Sequence, residues 1–91
     1  MILIWKIEFQ RAAVKQLCAL TYSDANRIVS FLTDRIARDG NPRRTGAALQ
    51  VSEHGIFWRY RVGDYRIICD IQDHKLVVLV VEIGHRREIY R

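Results

Sequence analysis

Between Ile56 and Val62 side chains of opposite character alternate along the chain, and this period of two marks a strand with unlike faces: Trp58, Tyr60 and Val62 on one, Arg59 and Arg61 on the other. Gly63-Asp64 supplies a tight turn, and Tyr65–Ile71 returns as the second arm of a hairpin. Ile2–Phe9, rich in β-branched and aromatic residues and alternating from Ile4 onward, predicts a first strand. Lys75–Ile83 is a nearly continuous apolar run, the pattern of a strand covered on both faces and hence central in its sheet. Two stretches follow the helical period instead. From Gln10 to Leu20 the apolar positions are Ala13, Val14, Leu17, Cys18 and Leu20, with Arg11 and Lys15 on the wet side. A second helix, capped by Ser23 or Asp24, carries Ile28, Phe31, Leu32 and Ile36 on one face and stops at Asp39-Gly40, before Asn41-Pro42. Pro42–Gly46 is turn-like, Ala47–Val51 is a short strand or an extended connector, Ser52–Gly55 is a loop, and Asp73-His74 is a further turn.

Neither helix is long enough to stand alone, so the helical hairpin needs a sheet to cover. The order β-α-α-β-β-β predicts an α+β domain: a twisted, mostly antiparallel sheet of about four strands with the N-terminal helical hairpin on one face. Ninety-one residues make one domain, 1–91, near the lower end of what a single core supports. On the alternation, Trp5, Trp58, Tyr60 and Tyr65 are core residues lying opposite the arginines.

Charge changes this picture. Fifteen Lys+Arg against ten Asp+Glu leave a net +5, and lysine occurs only at Lys6, Lys15 and Lys75, so the excess is arginine, the residue suited to bidentate phosphate contacts. If the short turn sets neighbouring strands in register, Arg66 lies beside Arg59 and Arg61. Such a row contributes nothing to a core and costs self-repulsion, which favours an anionic ligand, nucleic acid above all, over an ordinary solvated strand face. Cys18 and Cys69 sit in apolar periodic stretches with no second ligand at metal spacing, which predicts buried, reduced thiols and neither metal nor cofactor. His54 and His74 fall in turns without a paired carboxylate and are expected to be exposed and idle. The opening Met1–Trp5 is too short for a signal or membrane segment, and a cytoplasmic protein is expected.

The segments Trp58-Arg59-Tyr60-Arg61-Val62-Gly63-Asp64-Tyr65-Arg66-Ile67-Ile68 and Val80-Val81-Glu82-Ile83-Gly84-His85-Arg86-Arg87-Glu88-Ile89-Tyr90 together closely resemble the RelE/ParE superfamily of toxins from type II toxin–antitoxin pairs. Length and element order agree over nearly the whole chain. The RelE branch consists of endoribonucleases that cut messenger RNA in the ribosomal A site, whereas the ParE branch poisons DNA gyrase. Tyr90, an aromatic residue near the C-terminus, leans toward RelE.

That resemblance implies a metal-independent reaction in which the RNA 2′-hydroxyl attacks its own phosphodiester, leaving a 2′,3′-cyclic phosphate. By position, Arg59 and Arg61 match basic residues, often lysine, near the scissile phosphate, and Arg66 matches the phosphate-stabilising arginine. Arg86 matches the arginine on the leaving-group side, and Tyr90 matches the tyrosine that orients or stacks on the base, although it could instead cap a hydrophobic edge. One departure affects the chemistry. Arginine keeps its proton far above neutral pH, so Arg61 is a poor general base where lysine could serve, and neighbouring His85 becomes the candidate proton carrier. Arg43, Arg44 and Arg87 contact RNA or merely solvate their loops. The implied partners are a cognate antitoxin, the ribosome with its messenger, and operator DNA reached through the antitoxin. A gyrase inhibitor and a catalytically inactive binding protein of the same fold are the alternatives.

Overall fold

A computed structural model describes residues 4–50 and 56–85. Strand β1 (Lys6–Phe9) leads into helix α1 (Arg11–Cys18) and helix α2 (Tyr22–Ser30), which runs on in wider π-type turns through Phe31–Ala37. Strands β2 (Ala47–Gln50), β3 (Ile56–Val62) and β4 (Tyr65–Gln72) follow, then a short 3-10 turn (Asp73–Lys75) and β5 (Val77–His85). The α+β class and the helical hairpin on one face are as the sequence predicts. The sheet, in order β1-β5-β4-β3-β2, has five strands, because the stretch at Ala47 pairs antiparallel with β3 as a full edge strand. Among the described residues β1 pairs parallel with β5 and the other neighbours pair antiparallel.

The core lies between helices and sheet. Ala13, Ile28, Leu32 and Ile36 from the helical layer meet Tyr60, Val62, Ile67, Cys69, Val78, Val80 and Ile83 from the strands. Helix α2 begins earlier than the sequence suggests, for Thr21 is its cap: the Thr21 hydroxyl oxygen accepts from the Asp24 N–H at 3.2 Å. The widened turns coincide with Thr33, whose hydroxyl donates back to the Val29 carbonyl at 2.9 Å and competes with the main-chain ladder there. Cys69 is buried, as expected, but Cys18 is exposed. It shares a helical row with exposed Val14, one position round from buried Ala13, so the apolar stripe of α1 is wider than the surface it covers. Of the four aromatic residues assigned to the core, Trp5 and Tyr60 are buried and Trp58 and Tyr65 half-buried.

Strand β5 lies between β1 and β4, inside the sheet, and its apolar run carries an irregularity that the pattern does not reveal. Ile68 pairs with Glu82 whereas Cys69 pairs with Val80, so Val81 is an extra residue in a bulge. The bulge inverts the alternation: Val78 and Val80 face the core before it and Ile83 after it, while Glu82 turns outward. The consecutive apolar string thus serves a core face whose phase shifts midway, while Val77 at its start is buried on the opposite face.

Candidate functional site

The hairpin of β3 and β4 places three of the singled-out arginines together. Arg61 pairs directly with Arg66, and Arg59, two residues back on the same face, stands between Ala47 of β2 and Ile68 of β4. These side chains occupy the face of the sheet away from the core, because Tyr60, Val62, Ile67 and Cys69 take the other. Arg59 and Arg66 are half-buried and Arg61 is exposed. With Gly46, Ala47 and Tyr60 they line a cavity of about 190 Å³. Directly opposite residues on adjacent strands have Cβ atoms about 4.5–5.5 Å apart, so the Arg61–Arg66 pairing concentrates positive charge on this face.

Tyr60, between the two β3 arginines, is in no position to move protons. Its hydroxyl donates to the Pro42 carbonyl at 2.7 Å, and burial pushes the phenol well above its ordinary range. The Cys69 thiol is likewise pushed up, chiefly by burial, and is inert as a nucleophile.

Arg43 and Arg44 lie on the loop before β2 and do not line the arginine cavity. Arg43 makes a two-pronged ion pair with Asp73, both N–O distances 2.8 Å, and Arg44 reaches Asp39 at 3.2 Å. The Asp73 carboxyl is held below the usual range first by its hydrogen bond from Arg43, and the Arg43 guanidinium is raised by the same bond. His74 is exposed in the 3-10 turn.

His85 is where the structure departs most from the sequence reading. It pairs with Tyr65 while Arg66 pairs with Gly84, so His85 and the arginine row project from opposite faces of the sheet. The reason is the strand period: one residue separates His85 from the position that shares a face with Arg66. His85 packs edge-on against Tyr65, ring centroids 5.7 Å apart, and the Tyr65 hydroxyl donates to Asp24 of α2 at 3.0 Å. It lines a separate cavity of about 390 Å³ on the helical side, walled by Gln16, Ala19, Leu20 and Ile83. Arg86, Arg87, Tyr90 and His54 lie outside the described residues.

The sequence reading missed Gly46 and Ala47. Gly46, at φ +87°, lies so close on β3 that a Cβ there would stand 2.3 Å from the Arg59 carbonyl oxygen. A glycine opening an apolar run is the available signal, but it does not reveal which strand the glycine touches. Among the described residues no cluster of three or more His, Cys, Asp or Glu could hold a metal ion, and no helix is long and apolar enough to cross a membrane.

Comparison with known proteins gives a consistent picture. The model of the family described as "ParE toxin of type II toxin-antitoxin system, parDE" matches residues 7–90. Among solved structures, the toxin–antitoxin complex RelBE2 of Mycobacterium tuberculosis is similar, with TM-score 0.81 and 24% identity over 94% of this chain and 95% of that one. The archaeal RelE–RelB complex of Pyrococcus horikoshii follows at TM-score 0.70 and 22% identity, covering 91% and 96%. The isolated E. coli RelE toxin gives TM-score 0.67 and 18% identity over 89% and 83%. At these identities the likeness to solved structures is one of fold. No curated protein sequence matches this chain.

Proposed function

Since this chain belongs to the ParE toxin family of type II toxin–antitoxin systems, within the RelE/ParE superfamily, we propose that it is a ribosome-dependent endoribonuclease cutting messenger RNA in the A site under the control of a cognate antitoxin. The observation that carries this reading is the cavity in which Arg59, Arg61 and Arg66 converge. Three guanidinium groups around a space of about 190 Å³ suit one phosphodiester.

In the reaction the 2′-oxygen forms a bond to phosphorus as the bond to the 5′-oxygen breaks, giving a 2′,3′-cyclic phosphate and a 5′-hydroxyl. Arg61 and Arg66, opposed across the hairpin, hold the non-bridging oxygens and stabilise the extra charge of the phosphorane, and Arg59 extends the grip along the backbone. A guanidinium group offers donors and no acceptor, so none of the three takes the 2′ proton. With His85 on the other face, that proton goes to a group supplied by the ribosome or the RNA. Arg86 serves the leaving oxygen, Tyr90 stacks on the base, and Arg43, Arg44 and Arg87 contact RNA further out.

The antitoxin partner is supported by the similar structures that are complexes of RelE with RelB. The antitoxin also bridges the complex to operator DNA, and the working compartment is the cytoplasm, where ribosomes translate. A second reading, inhibition of DNA gyrase, is favoured by the matching family model, which is described by ParE. Two assays separate them. Purified toxin should cut messenger on programmed ribosomes, mapped by primer extension, and leave gyrase supercoiling unchanged. Loss of supercoiling with intact messenger would replace the nuclease by the gyrase inhibitor.

A further inference from the structure

The loop between α2 and β2 is tied to the rest of the fold by three aromatic donors. Trp5 Nε1 donates to the Gly40 carbonyl at 3.1 Å, the Tyr60 hydroxyl to Pro42 at 2.7 Å and Trp58 Nε1 to Thr45 at 2.7 Å. Each acceptor is a main-chain oxygen outside any helix or strand, and the aromatic partner satisfies it. The last tie adjoins the arginine cavity. Gly46 follows Thr45 immediately, and its absent Cβ would stand 2.7 Å from Trp58 Nε1, so the indole and the glycine backbone are in direct contact. Gly46 and Ala47 then form the cavity wall, Ala47 directly opposite Arg59.

We propose that Trp58 is a positioning residue for the anion site: its N–H bond to Thr45 holds the Gly46–Ala47 wall at the spacing from Arg59, Arg61 and Arg66 that a phosphodiester needs. Trp58 is on the core side of β3 and does not line the cavity, so it acts through the wall. A glycine at positive φ has more conformational freedom than any other residue and does not fix its own place. The tie to Thr45 fixes it. A site built on preorganised charge depends on such fixity, since a misplacement of about 1 Å can cost on the order of 10²-fold in rate.

The inference rests on the cavity being the phosphate site, and the matched control is Trp5, which makes the same kind of bond at the far end of the same loop. The full-length chain, Trp58→Phe and Trp5→Phe are compared by thermal melt, by calorimetric titration with a 2′-deoxy-substituted RNA trinucleotide and by single-turnover cleavage on programmed ribosomes. Both variants should melt lower than wild type. Only Trp58→Phe should bind the trinucleotide more weakly, by about tenfold, and cleave about 10–10²-fold more slowly. Equal binding by Trp58→Phe and wild type overturns the proposal, as does an equal loss in Trp5→Phe, which would make the effect one of general stability. If Trp58→Phe does not fold, β-(3-benzothienyl)alanine at position 58 keeps the shape of the indole without its N–H, and binding at the wild-type level by that variant overturns the proposal too. A wild-type chain that fails to bind removes the anion site and the positioning role together. Binding that weakens in Trp58→Phe, with no ribosomal cleavage even by wild type, upholds the positioning role and rejects only the nuclease.

Discussion

Replacing Arg61 by Ala separates a functional charge from a structural one, because the two roles predict opposite signs for stability. Arg61 is exposed and directly opposite Arg66, so removing it leaves no hole in the core and relieves a like-charge pair. Two unit charges at about 5 Å in a water-like medium repel by about 0.8 kcal/mol, and salt at 0.1 M reduces this further. For a domain of this size 1 kcal/mol corresponds to about 4–8 °C in Tm. Arg61→Ala should therefore melt about 3–6 °C higher than wild type at low ionic strength, and the difference should vanish in 1 M salt. Its single-turnover cleavage should fall by about 10²–10³, the cost of deleting one donor aimed at developing charge. Arg61→Lys keeps the charge without the planar fork and should recover only part of the rate. Calorimetric melts across a salt series, paired with cleavage on programmed ribosomes, read both quantities. A variant that melts lower by several degrees at every salt concentration, or that cuts at the wild-type rate, would refute the reasoning.

Gly46→Ala should destabilise the fold, with about 1–3 kcal/mol from the positive φ alone and more from contact with the Arg59 carbonyl, measured by denaturant titration. Leu32→Ala, at a fully buried site, should cost about 2–5 kcal/mol in the same measurement. His85→Gln should leave the rate and the pH profile of cleavage unchanged, because the ring is on the face away from the arginines; a slower rate with a flattened profile would restore His85 as proton acceptor. The Asp73 carboxyl is depressed by Arg43, so the stability it contributes is full above the unfolded value of about 3.9 and is lost as pH falls through the lower folded value. The Tm gap between wild type and Asp73→Asn should accordingly be small, constant from pH 5 to 8, and should close below about pH 4.

The sequence by itself determined the elements and the identity of the charged face. Arg59 and Arg61 must share a side of β3 because strand side chains alternate, and the turn at Gly63-Asp64 leaves only two residues between β3 and β4, which sets Arg66 across from Arg61. Those are local consequences of backbone geometry, readable over a dozen residues. Tertiary structure alone decided the rest. The bulge at Val81 depends on how β5 meets β4, and it inverts which residues of an all-apolar string face the core, something no periodicity in that string records. His85 is adjacent in sequence to the basic cluster, yet it packs against Tyr65 on the helical side because the strand pairing fixes its face. Gly46 and Ala47 become a cavity wall only because Trp58 and Tyr60, more than ten residues further along, hold their loop against β3. Contacts of that range depend on the whole chain closing around its core, and the local pattern of residues carries no trace of them.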